Sequence, residues 1–193
     1  LNALATAEYS GGKNISGWVN HTQQGGIASL QIANGELDLR QIYRVATPIE
    51  QLNAIVKWQS FADEWRVTSN TITLKNNDAH GHAVLSVAIP KNEPNAAKMT
   101  LLASIFDGKL SSVWRYVPWP SAGDDTLAWL KSALVTGKIE RGDFLYEGML
   151  IDSPTRPPST MQMNFMVKDG VLAYAPKWPK LSQLNATIGI YNR

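Results

Sequence analysis

Cysteine is missing from all 193 residues. Its absence excludes disulfides, thiolate catalysis and zinc held by cysteine. No apolar run approaches the roughly 20 residues that a bilayer-spanning helix needs. Charge of one sign is also scarce: the formal net charge is only +2, and the excess is dispersed. A nucleic-acid footprint would need a basic stripe, so that partner class is excluded. Histidine occurs three times, at His21, His80 and His82. No Gly-x-Ser-x-Gly elbow, phosphate-cradling glycine loop or metalloprotease helix motif is present. The chain opens on Leu1, with neither an initiator methionine nor a signal-like leader. Leu1 therefore reads as a fragment boundary, with any membrane anchor expected outside this segment.

What remains is a chain that is 44% hydrophobic and 18% charged, enough to bury a core. One phrase is used twice. Residues 34–54 read NGELDLRQIYRVATPIEQLNA, and residues 169–186 read DGVLAYAPKWPKLSQLNA. Each opens on a turn pair (Asn34-Gly35, Asp169-Gly170), passes a proline (Pro48, Pro179) and ends in Gln-Leu-Asn-Ala. An ordered series of matches suggests one β-unit used more than once. Repeated units are expected near 27–60 and 161–192, with a helix-containing insertion over 113–137.

Most of the chain alternates with period 2, the mark of strands with two unlike faces. The pairs Asn34-Gly35, Asp107-Gly108 and Asp169-Gly170 predict hairpin turns. Asn76-Asn77-Asp78 predicts another turn. Residues 44–58 carry a helix-like spacing, but comparison with 179–191 predicts a strand over 52–59. In 161–168 the alternation is clean: Met161, Met163, Phe165 and Val167 share one face. A final strand over 185–191 sets Ala186, Ile188 and Ile190 together. Residues 124–136 predict the one clear helix. Ser121 or Asp124 suits its N-cap, Gly137 its C′ position, and Leu127, Leu130 and Leu134 its apolar stripe, with Trp129 and Ala133 near it.

Candidate chemistry is thin. His80 and His82 share a strand face, but no third metal ligand is marked beyond Asp78, so they read as exposed polar residues at a hairpin end. Asp124 and Asp125 read as helix-capping groups rather than an acid/base pair. The seven tryptophans read mostly as core or edge-of-core anchors, though exposed ones could stack on sugars. The face of Met161, Met163, Phe165 and Val167 reads either as an ordinary core face or as an adaptable apolar wall for a ligand.

Residues 115–154, RYVPWPSAGDDTLAWLKSALVTGKIERGDFLYEGMLIDSP, resemble the AsmA-like family of envelope proteins, in particular its YhdP branch. The resemblance lies in Tyr116-x-Pro118, a helix with Trp129-Leu130, the Val135-Thr136-Gly137 end, and Tyr146-Glu147-Gly148 followed by Asp152 and Pro154. It continues through Phe165-x-Val167, Asp169-Gly170, Leu172, Tyr174, Trp178-Pro179, Leu184 and Ala186. It is strongest over 110–192. It departs at 153–160, where SPTRPPST is proline-rich and a phenylalanine would be expected before the proline. The resemblance implies a mostly β fold with minor α: a curved antiparallel sheet forming an open trough. It also implies a periplasmic segment of an inner-membrane-anchored protein of a Gram-negative bacterium. Its implied role is non-catalytic: it conducts phospholipids between inner and outer membrane, which parts outside this fragment would contact, and so maintains the outer-membrane barrier. It implies no enzyme activity, cofactor or metal. An apolar wall accepts acyl chains by non-directional burial, so it needs no motif. The wall is expected at Met161, Met163, Phe165, Val167, Ile188 and Ile190. Two other readings stay open: a β-sandwich that binds glycan or peptidoglycan through Trp119 or Trp178, and a scaffold joining partners by strand addition.

Overall fold

The computed structural model describes residues 10–150 and 159–192, without the side chains of Trp119 and Ser121. Residues 153–158 of the proline-rich stretch, and with them Pro154, lie outside the described residues, as does Asp152. Ten strands form one antiparallel sheet. They are β1 (Gly11–Thr22), β2 (Gly25–Asp38), β3 (Thr47–Ser60), β4 (Glu64–Ser69), β5 (Ile72–Lys75), β6 (His80–Pro90), β7 (Lys98–Lys109), β8 (Leu134–Met149), β9 (Thr160–Leu172) and β10 (Leu181–Asn192). Their spatial order follows the chain, except that β4 and β5 share one position between β3 and β6. Among the described residues β1 and β10 are the two edges. The strand expected over 52–59 is the second half of β3, and the turn expected at 76–78 joins β5 to β6.

The three Asx-Gly pairs do not turn the chain. Asn34-Gly35 lies inside β2, Asp107-Gly108 inside β7 and Asp169-Gly170 inside β9. Only the Asx residue of each pair has positive φ (50°, 53° and 51°). A two-residue type I′ turn needs two such residues, whereas a strand irregularity needs one. At Gly35 the glycine answers a close approach: a Cβ there would lie 2.2 Å from the Lys13 carbonyl oxygen.

These irregularities line up across the sheet. Asn14 (φ 56°) donates from Nδ2 to the Asn34 carbonyl at 2.8 Å on the next strand. Asp107 follows Phe106, which pairs with His80 beside the β5–β6 turn. Gly137 (φ 133°) meets Gly170, next to Asp169, and Gly170 pairs with Leu184, next to Gln183 (φ 56°). One crease thus crosses the strands near one end. Irregular residues on β1, β2, β7, β8, β9 and β10 fall on this line and curve the sheet about an axis that runs from β1 to β10.

Both buried clusters sit at the crease. Ile32, Ile49, Leu52 and Ala54 form the first, on β2 and β3. Leu110, Ile139 and Val167 form the second. A 3-10 helix (Leu110–Arg115) lays Leu110 and Val113 on the second cluster. Behind it packs α1 (Trp119–Ala133), which buries Leu127 and Ala133.

The helix differs from its sequence reading at both ends. It starts at Trp119 behind Pro118 and is broken at Gly123 (φ 75°). Asp124 makes an ion pair with Arg44 of the β2–β3 connection rather than a side-chain cap. At the other end Leu134 is already the first residue of β8, and Gly137 lies inside that strand. The β-branched pair Val135-Thr136 favours extended chain. Gly137 serves a backbone contact instead: a Cβ there would sit 2.7 Å from the Gly170 Cα.

Candidate functional site: the uncharged face of the sheet

Opposed residues in an antiparallel sheet point to the same face, so the pairing register assigns the faces. One row runs from edge to edge through Ile15, Ile32, Leu52, Leu74, Gly81, Ile105, Gly142, Phe165 and Ile188. The next row on that face holds Gly17, Leu30 and Ala54, and then Ile72, Ala83, Ala103, Phe144, Met163 and Ile190. A third holds Val19, Ala28, Val56 and Ser69, and then Leu101, Tyr146, Met161 and Asn192. None of these side chains is charged.

The residues singled out from the sequence fall within this surface. Met161, Met163 and Phe165 occupy three successive rows of β9, with Ile188 and Ile190 opposite Phe165 and Met163 on β10. They differ in accessibility. Val167 is 5% exposed inside the second cluster, whereas Ile188 and Ile190 are 41% and 44% exposed. Leu30 and Val19 are exposed towards the β1 edge. Sequence inspection picked out only the β9–β10 part; the same alternation in β1–β3 and β6–β8 needed the register before it could be joined to it. Among the described residues no second sheet lies over this face; the 3-10 helix covers only the crease end.

The other face is polar and carries the ion pairs. Ser16, Gln31, Asn53, Thr73, His82, Ser104, Asp143 and Asn164 form its central row. Arg141 pairs with Asp143 at 2.8 Å, and Ser104 Oγ donates to Asp143 at 2.7 Å. These bonds hold the Asp143 carboxyl below the usual range, Arg141 contributing most. Lys138 does the same for Asp107, aided by His80. His80 and His82 both pack on the Phe106 ring, at 5.6 and 5.7 Å. Among the described residues no group of three metal-ligating side chains exists.

The tryptophans correct their sequence reading in part. Trp58, Trp65 and Trp114 are half-buried, as edge-of-core anchors. Trp18, Trp129 and Trp178 are exposed, at 53%, 47% and 65%. The Trp129 indole N–H donates to the Tyr174 carbonyl at 3.1 Å, and the Trp178 ring meets Tyr174 at 5.8 Å. The Trp129 and Trp178 rings lie at the α1 and β9–β10 corner, and Trp18 lies on β1 at the other edge, all outside the uncharged rows.

A single creased antiparallel sheet with one uncharged, largely uncovered face defines an open β-trough. The chain belongs to the YhdP family: the family model described as YhdP protein matches residues 2–193. It is 20% identical over 183 residues to the protein named intermembrane phospholipid transporter YhdP of Escherichia coli (strain K12). That alignment covers 94% of this chain and 14% of the relative, so the chain spans a small part of the relative's length. No solved structure matches it.

Proposed function

We propose that this segment is a non-catalytic stretch of lipid-conducting wall in an intermembrane phospholipid transporter. The observation that carries the reading is the set of uncharged rows running unbroken from β1 to β10, with Ile188, Ile190, Leu30 and Val19 open to solvent. Met161, Met163, Phe165, Ile188 and Ile190 serve as wall, and Val167 as its buried footing. Acyl chains lie along the rows, parallel to the crease, and enter and leave at the two sheet edges. With strands about 4.8 Å apart, the path across nine strand positions is roughly 40 Å long. Each methylene moved from water to the wall contributes about 0.8 kcal/mol without directional bonds, so a lipid can bind firmly at any register and still slide. Parts of the protein outside this chain anchor it in the inner membrane, reach the outer membrane and place this segment in the periplasm, where the flow of lipid maintains the outer-membrane barrier.

The test is native mass spectrometry of protein prepared from a bacterial periplasm without detergent, with extraction of bound lipid. Co-purifying phospholipid, lost in Ile190→Asp and in Leu30→Asp while the fold is kept, is the expected result. A folded wild type free of lipid, or charged variants that retain it, overturns the reading.

A further inference from the structure

The polar face carries scattered apolar side chains, among them Trp18, Ile55, Phe106 and Met166, and one group of them borders its central row. Beside its central row, Val84, Leu102 and Leu145 pair across β6, β7 and β8, followed by Gln162 and Tyr191 on β9 and β10. Val84 and Leu102 are 39% and 48% exposed there. Together with the central polar row, and with Ala103, Phe144 and Met163 of the strands beneath, they line a shallow depression of about 460 Å³ that is open to solvent.

Its chemistry is specific. The floor is aliphatic. One wall is the Tyr191 ring, 67% exposed, which lies back over Gly189; a Cβ at 189 would meet that ring at 2.7 Å. The rim is made of hydrogen-bonding groups: the Gln162 and Asn164 amides, the Ser104 hydroxyl, the His82 imidazole and the Asp143 carboxylate. The Gln162 and Asn164 side-chain amides have no protein partner among the described residues, and both are exposed. Asp143 is held in place by Arg141, whose guanidinium offsets its charge, and by the Ser104 hydroxyl, which leave it an oriented acceptor. The polar row then continues beyond the depression through Thr73, Asn53 and Gln31 towards β1.

A phosphate or a carboxylate would find no lysine or arginine among the lining residues, and a purely apolar ligand would leave the amides without partners. A sugar ring fits both halves: its C–H face packs on aliphatic and aromatic side chains, while its hydroxyl and acetamido groups exchange hydrogen bonds with amides and hydroxyls. We infer that the depression is a glycan-binding site for a neutral or N-acetylated oligosaccharide chain, seated against Tyr191 and Leu102 and held by Gln162 and Asn164. The continuing row of amides and hydroxyls favours a chain over a single sugar. The site occupies the face opposite the lipid wall, so the segment could rest on a glycan polymer while its other face carries lipid.

The probes are chitotetraose and cellotetraose, titrated into the isotope-labelled chain and read by NMR. The expected result is saturable movement of the Gln162 and Asn164 side-chain amide signals and the Tyr191 ring signals. Tyr191→Ala should weaken binding at least tenfold, and Ile190→Asp should leave it unchanged. If Tyr191→Ala does not fold, Gln162→Ala carries the same test. The inference is overturned if neither sugar gives saturable shifts up to about 10 mM, a ceiling corresponding to very weak affinity. It is overturned equally if the Tyr191 and Gln162 variants bind as the wild type does, or if phospholipid vesicles move these signals and sugars do not. Loss of lipid binding in the trough would leave these signals untouched, so the two readings fail separately.

Discussion

Tyr116 donates its hydroxyl to Asp78 across 2.9 Å and accepts from Asn76 Nδ2 at 2.8 Å. Ser112 donates to the other Asp78 oxygen at 2.8 Å. These bonds tie the 3-10 helix, through Ser112 and the capping Tyr116 just beyond its end, to the β5–β6 turn, and so hold the Leu110 wedge on the crease. Tyr116→Phe leaves Asn76 and Asp78 short of a partner at a partly buried site, which should cost about 1–3 kcal/mol in urea unfolding.

The same tyrosine makes a pH prediction. Burial, and after it the hydrogen bond to Asp78, push its pKa up from the ordinary 10.0 to about 12. The folded state therefore keeps a proton that the unfolded chain gives up. Stability from this group is complete below pH 10 and is lost as pH rises towards about 12. The difference in stability between wild type and Tyr116→Phe should shrink over that window; a constant difference would remove the linkage.

Asp143 behaves in the opposite sense. Arg141 and Ser104 lower its pKa from 3.8, so its contribution is present above that value and lost as pH falls through the folded one. Arg141→Gln should return the Asp143 titration, followed by carboxyl NMR, towards its ordinary range without unfolding the sheet.

Two glycines should resist substitution. Gly137→Ala would force a side chain onto φ 133° and against the Gly170 Cα. Gly35→Ala would drive a methyl into the Lys13 carbonyl. Backbone is the obstacle in both, so nothing nearby can swing aside. Each should destabilise by about 1–3 kcal/mol in thermal or urea unfolding.

The apolar face should divide by position. Val167→Asp places an unpaired charge in the second buried cluster and should cost about 4 kcal/mol or more. Ile190→Asp, at a site 44% exposed, should change stability by less than about 1 kcal/mol. Equal losses at the two sites would mean that Ile190 is core.

Period-2 alternation was enough to name strands and to sort Met161, Met163, Phe165, Ile188 and Ile190 onto one face, because the pleat alone sends successive side chains to opposite sides. The helix itself and its buried Leu127 were also legible, though not the start of α1 at Trp119. The Asx-Gly pairs were not. Asn34, Asp107 and Asp169 supply a left-handed residue that suits a hairpin or a bulge equally well, and the choice rests on partners such as Ile49 opposite Gly35, distant in the chain. Gly137 likewise looked like a helix end; its close contact with Gly170 exists only once β8 and β9 are paired.

Sequence alone determined the chemistry of each strand: which side chains are apolar, which polar, and where a left-handed residue is affordable. Those are local properties of the chain. Tertiary structure decided what these pieces add up to. Pairing register aligned nine apolar stripes into continuous rows, stacked single bulges into one crease, and gathered Val84, Leu102, Gln162 and Tyr191 into one depression. Register is a relation between strands, held by backbone hydrogen bonds and burial at the crease, and no single segment carries it.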